Sequence, residues 1–154
     1  MKDNTMTRPI TIWILFYLQA LLGLGALWGG MALMLAPEGS IIENLMQMPK
    51  NMLAGTPFSN YLIPGILLFT FVGIYPVAVA YSLWKRPLWK WPNLLNPFKP
   101  VHWSWAGSLA AGVILIIWIT VQVILFRQMY FPHYLYIEWG TLIMLLTLLP
   151  KTRL

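Results

Sequence analysis

Residues 85–100 have the sequence KRPLWKWPNLLNPFKP, and this stretch, which we call the central basic loop, decides the predicted fold. It contains four basic residues, four prolines and three aromatic residues, and it contains no acidic residue. Because each proline removes a backbone donor and restricts the residue before it, a long helix cannot continue through this stretch. Basic residues and tryptophans between long apolar runs are typical of a cytoplasmic loop at a membrane surface. The loop therefore divides the chain into two predicted helical hairpins.

The composition of the 154-residue chain indicates that lipid covers most of its surface. Only 9% of the residues are charged and 59% are hydrophobic, whereas a soluble domain has about 25% charged residues. The absence of cysteine excludes disulfides, thiolate metal sites and cysteine nucleophiles. The net charge of +6 arises from basic residues in short segments between apolar runs. Membrane topology therefore explains the charge better than nucleic-acid binding, which we do not expect.

Four apolar segments flank the central basic loop, and we predict that they span a membrane as an antiparallel four-helix bundle. They are residues 10–35, 58–84, 102–126 and 134–150, and all reach the roughly 17–25 residues that a spanning helix needs. Pairs of small residues four positions apart, such as Gly25 with Gly29 and Ala26 with Gly30, predict close helix packing. Residues 1–154 are expected to form a single integral membrane domain.

Residues 40–48, between the first two spans, predict a short amphipathic helix. Its apolar and polar residues lie largely on opposite faces, with Ile41, Ile42, Leu45 and Met46 on one and Glu43, Asn44 and Gln47 on the other. Pro49 stops this helix, because proline cannot donate a backbone hydrogen bond. We expect the segment to lie in the outer membrane interface.

The basic residues predict the orientation of the chain. With both termini inside the cell, eight of the ten basic residues lie in cytoplasmic segments, and only Lys50 and Arg127 lie outside. Short cytoplasmic loops carry such an excess of lysine and arginine. The expected location is a bacterial plasma membrane, crossed several times, with cytoplasmic N and C termini.

Arg127 and Glu138 are the sharpest candidates for chemistry. They flank the tight connection between the last two spans at similar distances, so we expect them at a similar depth. Ionised groups inside a bilayer are costly, and a pair facing the bundle interior would offset much of that cost. Two interpretations stay open: a site for an anion, a proton or a headgroup with His133 nearby, or an ion pair that only pins the hairpin.

Other polar residues predicted at the same outer level suggest a pocket beneath the amphipathic helix. The full set of candidate ligand-binding residues is Arg127, Glu138, His133, Tyr134, Asn60, Tyr61 and Glu43. Each tyrosine taken alone is more often an interfacial anchor than a ligand contact.

Two glutamines lie within the apolar spans. Counting the helical rise places Gln19 at the level of Thr141, where an interhelical hydrogen bond is the simpler explanation. Gln122 and Thr120 lie on roughly opposite faces of the third span, so at most one of them points into a given cavity.

The residue pattern indicates no metal site, cofactor or standard enzyme. His102 and His133 are predicted on opposite sides of the membrane, so they cannot share a metal or haem. The chain contains no glycine-rich phosphate loop, no HExxH motif and no nucleophile elbow.

Several short motifs carry a resemblance to known proteins. Thr56, Pro57 and Phe58, then Tyr61 and Pro64–Gly65, and His102–Trp103 after the basic loop resemble a group of small, uncharacterised bacterial four-span membrane proteins. The resemblance covers most of the chain and implies a plasma-membrane protein with four helices. It implies no activity, ligand or functional residue.

The leading functional hypothesis is a non-enzymatic membrane protein that binds a lipid or small amphiphile in an outer-leaflet pocket, directly or as an accessory subunit. Its expected partners are membrane lipids, a small amphiphilic ligand, and either a second copy or another membrane protein. The alternatives are an oligomeric channel or proton-coupled transporter that uses Glu138, and a membrane-embedded enzyme acting on a lipid through Glu138 and His133.

Overall fold

The computed structural model describes residues 8–46 and 49–153, except the side chains of residues 42, 45, 46 and 50, and every regular element in these ranges is helical. In chain order the helices are α1 (Ile10–Leu35), α2 (Ser40–Met46), α3 (Leu62–Lys85), α4 (Lys90–Leu94), α5 (Trp103–Phe126) and α6 (Phe131–Leu148). Short 3-10 turns lie at Lys50–Leu53 and Pro150–Thr152. The predicted all-helical class is confirmed.

Within the described ranges, three helices are long and apolar enough to cross a membrane: α1, α3 and α5. They indicate an integral membrane protein. The prediction of four such helices is not met, because α6 does not qualify. Its 18 residues reach the roughly 17–25 that a spanning helix needs. It falls short in hydropathy, because polar side chains such as those of His133 and Glu138 make its first half less apolar.

The helix boundaries follow local sequence signals. α1 coincides with the first predicted span. α3 begins at Leu62, later than predicted, and an Asx turn precedes it, in which the Asn60 Oδ1 accepts a hydrogen bond from the Leu62 backbone N–H at 3.0 Å. α6 begins at Phe131, earlier than predicted, because proline fits the first turn of a helix. The predicted interfacial helix is described as Ser40–Met46, and residues 47 and 48 lie outside the described residues.

The prolines of α3 and of the central basic loop affect the backbone differently, depending on where each lies in its helix. In α3, Leu68–Ile74 forms a π-helical segment in which the Tyr75 backbone N–H donates to the Thr70 carbonyl, immediately before Pro76. A π-helical segment of this kind is a common cause of a bend in a helix. In the loop, Pro92 lies in the first turn of α4, where proline costs no hydrogen bond. This short helix within the loop was not predicted.

The core joins residues from all four long helices. α1 packs along α3 and α5 packs along α6, and the two pairs meet where α3 contacts α5 and α1 contacts α6. Leu15, Val79, Leu115 and Ile143 are fully buried at the centre. The four helices therefore share one buried core. A cavity lies beside this core near one end of the molecule.

Candidate functional site

An apolar cavity of about 300 Å³ lies between α1, α3, α5 and α6. It occupies the end of the molecule where α5 ends and α6 begins, which is the end predicted to face outward. The 3-10 turn contributes Met52 and Leu53 to its lining, and α5 contributes Trp118 and Phe126 among others. A cavity of this size lies at the lower end of the range for small-molecule sites.

Two glycines of α1 line the cavity and leave room beside the helix. A Cβ added at Gly25 would meet no atom within 4 Å, and one added at Gly29 would meet only the Leu68 side chain at 3.6 Å. On the neighbouring face, a Cβ added at Gly30 would lie 2.7 Å from the Phe69 backbone nitrogen. The small-residue pattern of α1 therefore serves two purposes: one face packs on α3 and the other leaves space.

Tyr61, Gln122 and His133 are among the side chains with polar groups that line this mostly apolar space, together with Trp118 and Tyr136. Tyr61 and His133 are buried, with 4% of each exposed. The His133 Nδ1 accepts a hydrogen bond from the Tyr130 backbone N–H at 2.8 Å, so the neutral ring carries its proton on Nε2. The Gln122 amide makes no hydrogen bond to another described residue. The cavity therefore offers donors and one acceptor at fixed points of an apolar wall.

A second space lies next to the cavity, on the other side of Tyr61. A more polar groove of about 400 Å³, which we call the outer groove, is lined by Glu38, Asn51 and Asn60 among others. The outer groove and the apolar cavity share Leu53 and Tyr61 as a common wall. Burial raises the pKa of Tyr61 above its ordinary value, and the nearby Tyr130 raises it further. The phenol is therefore neutral at physiological pH and can donate a hydrogen bond.

The structure brings only part of the predicted cluster together. Tyr61 and His133 line the apolar cavity, and Asn60 lines the outer groove. Glu43 and Tyr134 are exposed and line neither space. Glycines and apolar turn residues, which form much of the wall, were not predicted as site residues. The spacing of Gly25 and Gly29 was the available signal.

Arg127 and Glu138 are not brought together. Arg127 ends α5 in the left-handed conformation, with a φ of 53°, and its side chain is exposed. Glu138 lies on the exposed face of α6, between Leu135 and Leu142. Both residues belong to the described part of the chain, in which no ion pair joins them. The structure thus gives no support to the ion-pair interpretation, and neither residue lines the cavity.

Gln19 belongs to a separate buried polar network. Its Nε2 donates to the Ser108 Oγ at 2.6 Å, and the Ser108 Oγ is 2.8 Å from the Thr147 Oγ1. The predicted partner Thr141 is instead exposed and donates to the Ile137 carbonyl within α6. The interhelical role expected for Gln19 is confirmed, although its partner is not. The sequence also predicted that at most one of Gln122 and Thr120 points into a given cavity. This agrees with the structure, because Gln122 lines the cavity and the exposed Thr120 does not.

The comparison with known proteins adds no relative. No protein-family model, curated protein or solved structure matches the chain. The resemblance to small four-span membrane proteins therefore stays an expectation, and the interpretation of the site rests on its geometry.

Proposed function

We propose that this protein binds a lipid or small amphiphile in the apolar cavity and has no catalytic activity of its own. The observation that carries the proposal is the space beside Gly25, where an added Cβ would meet no atom within 4 Å. Gly25 is itself exposed, so the cavity opens to the surroundings of the helices there, and an open, mostly apolar pocket with a few polar groups favours an apolar ligand.

The size and lining of the cavity suggest the shape of this ligand. A space of about 300 Å³ suits one acyl chain or a compact apolar group rather than a complete phospholipid with two chains. Gln122 and His133 would hold a carbonyl or hydroxyl near the outer end, because a buried polar ligand group requires a partner.

The proposal includes a membrane topology with α6 as the fourth span. α6 follows α5 after a four-residue connection, residues 127–130, and packs along it. Its close approach at Gly140, whose added Cβ would lie 3.2 Å from the Gly112 carbonyl oxygen, holds the two helices together at mid-length. With the basic residues inside, both termini and the central basic loop are cytoplasmic. A periplasmic reporter fused near Asn93 that became active would reverse this orientation and place the cavity in the inner leaflet.

Filling the cavity tests the binding proposal. In Gly25→Leu the new side chain enters empty space, so we expect native mass spectrometry of the purified protein to show at least about tenfold lower ligand retention, equivalent to about 1.4 kcal/mol. Leu24→Phe is the matched control, because it adds bulk to the same helix at an exposed position. Equal retention in Gly25→Leu and Leu24→Phe, with both variants folded, would refute the proposal.

Three further variants test whether the ligand binds in the cavity or at the cluster predicted from the sequence. Glu138→Gln and Arg127→Ala alter exposed residues outside the cavity, so we expect retention to stay unchanged. Gln122→Leu removes a polar group from the wall and should lower retention of a ligand with a carbonyl or hydroxyl group. Loss in Glu138→Gln with none in Gln122→Leu would move the site to the sequence-predicted cluster.

The position of Glu138 supports a second candidate, an oligomeric channel or proton-coupled transporter. Its carboxylate lies on an otherwise mostly apolar face of α6, where contact with lipid is costly. Contact with another copy would shelter it from lipid. Proton flux into liposomes that disappears in Glu138→Gln would support this function, and absence of flux in the unaltered protein would reject it.

A further inference from the structure

The central basic loop exposes large apolar side chains on and around α4. The exposed fractions are 88% for Leu88, 79% for Trp91, 67% for Leu94 and 78% for Leu95. α4 has only five residues and none of them is buried. A surface of this kind is unfavourable in water and indicates contact with another apolar phase.

Aromatic stacking holds the loop against the ends of the long helices. Trp89 stacks between Tyr81 of α3, at 6.0 Å between ring centroids, and Trp103 of α5, at 5.6 Å. The Trp103 Nε1 donates to the Pro87 carbonyl at 3.3 Å, and the Lys99 Nζ donates to the Leu94 carbonyl at 3.3 Å. The exposed leucines are therefore presented by a folded segment.

Positive charge accompanies this apolar surface. Residues 85–100 contain four basic residues and no acidic residue. Arg8 donates to the Leu83 and Trp84 carbonyls at the end of α3, so a further cation lies at this end. Burial and the nearby Arg8 lower the pKa of Arg86. The acidic residues of the described chain, Glu38, Glu43 and Glu138, lie in other segments.

We propose that α4 and its flanking residues lie in the headgroup layer of an anionic leaflet, with the leucines and Trp91 inserted and Lys90 binding lipid phosphates. The position of the central basic loop fits the headgroup layer. α3 ends at Lys85 and α5 begins at Trp103, so the loop joins the ends of two candidate spans. Combined apolar insertion and cationic attraction is the known basis of interfacial binding. The inference is independent of the apolar cavity, which lies at the other end of the molecule.

The charge requirement is tested by lipid preference. In native mass spectrometry of the full chain, we expect phosphatidylglycerol to bind more tightly than phosphatidylcholine of the same acyl chains. Lys90→Gln should lower this preference about fivefold, the equivalent of about 1 kcal/mol per basic residue, and Lys90→Arg should retain it. Arg127→Gln is the matched control, because it removes an exposed charge from the opposite end. Equal loss in Lys90→Gln and Arg127→Gln would overturn the proposal.

The insertion requirement is tested by a fluorescent label. The chain has no cysteine, so Leu95→Cys and, as a control, Ser59→Cys each give a single labelling site in the complete protein. In phosphatidylglycerol nanodiscs, the label at position 95 should be protected from aqueous iodide and quenched by a lipid-soluble quencher. Accessibility to iodide equal to that at position 59 would overturn the proposal. Protection that appears only when two copies occupy one nanodisc, or that free inorganic phosphate abolishes, would overturn it as well.

Discussion

Replacing Gly30 or Gly25 of α1 by alanine is expected to give two variants of clearly different stability. Both glycines lie within the same helix, five residues apart. A Cβ at Gly30 would lie 2.7 Å from the Phe69 backbone nitrogen and 2.8 Å from the Gly65 carbonyl oxygen. A Cβ at Gly25 would meet nothing within 4 Å. The two substitutions therefore differ in the space that receives the methyl group.

The magnitude follows from two opposing terms. Alanine is favoured over glycine in a helix interior by about 0.5–1 kcal/mol, and this term is common to both variants. At Gly30 the clash is with backbone atoms, which no rotamer change can relieve, so α1 and α3 must move apart. Overpacking of this kind costs about 1–3 kcal/mol. Gly30→Ala is therefore expected to be less stable than Gly25→Ala by about 1–3 kcal/mol.

The assay is thermal unfolding of the purified proteins in one detergent, followed by tryptophan fluorescence. For a chain of this length the difference corresponds to roughly 2–12 °C in the midpoint. Gly25→Ala should melt at or above the temperature of the unaltered protein. Equal midpoints for the two alanine variants, or a lower midpoint for Gly25→Ala, would refute the assignment of Gly30 to the helix contact and of Gly25 to the cavity.

The remaining predictions concern the buried network, the ends of the helices and pH. Ser108→Ala leaves the fully buried Gln19 amide without its partner and should cost about 1–2 kcal/mol of unfolding free energy. Adding Gln19→Leu to this variant should recover part of the loss. Additive effects of the two substitutions would contradict an interaction between Gln19 and Ser108. Arg8→Ala removes the guanidinium from two carbonyls at the end of α3 and should cost about 1–2 kcal/mol, which chemical denaturation would measure, with no change contradicting the contact. Burial lowers the pKa of His102; the hydrogen bond with the Pro87 carbonyl opposes this in part, and the nearby Arg86 lowers the pKa further. The unfolded chain then binds the proton more readily, so the unfolding free energy should fall as pH drops below about 6.5. His102→Gln should make that decline shallower, and an unchanged slope would exclude His102 as its source.

The lengths and order of the helices were largely predictable because they depend on local sequence. Uninterrupted apolar runs define α1, α3 and α5, and their bounds differ little from the predicted spans. Proline and polar residues end these runs in a way that neighbours along the chain determine. The prediction and the structure differ most at α6, whose polar first half weakens the apolar signal of a spanning helix.

The site was less predictable, because counting residues gives the depth of a side chain and not the direction in which it points. Arg127 and Glu138 flank the same connection, yet both side chains are exposed and no ion pair joins them in the described part of the chain. The predicted pairing of Gln19 with Thr141 is not formed for the same reason, since Thr141 lies on the exposed face of α6. A hydrophobic run that is apolar on every side contains little information about which face turns inward.

The sequence by itself therefore determined that this is a helical membrane protein with a basic loop between two hairpins, because hydrophobicity, proline and charge act over short stretches of chain. Only the tertiary structure decided that Gly30 would meet the backbone of α3 while Gly25 borders an empty space. The rotation of each helix about its axis is set by atomic contacts with helices distant in sequence, and those contacts create the cavity.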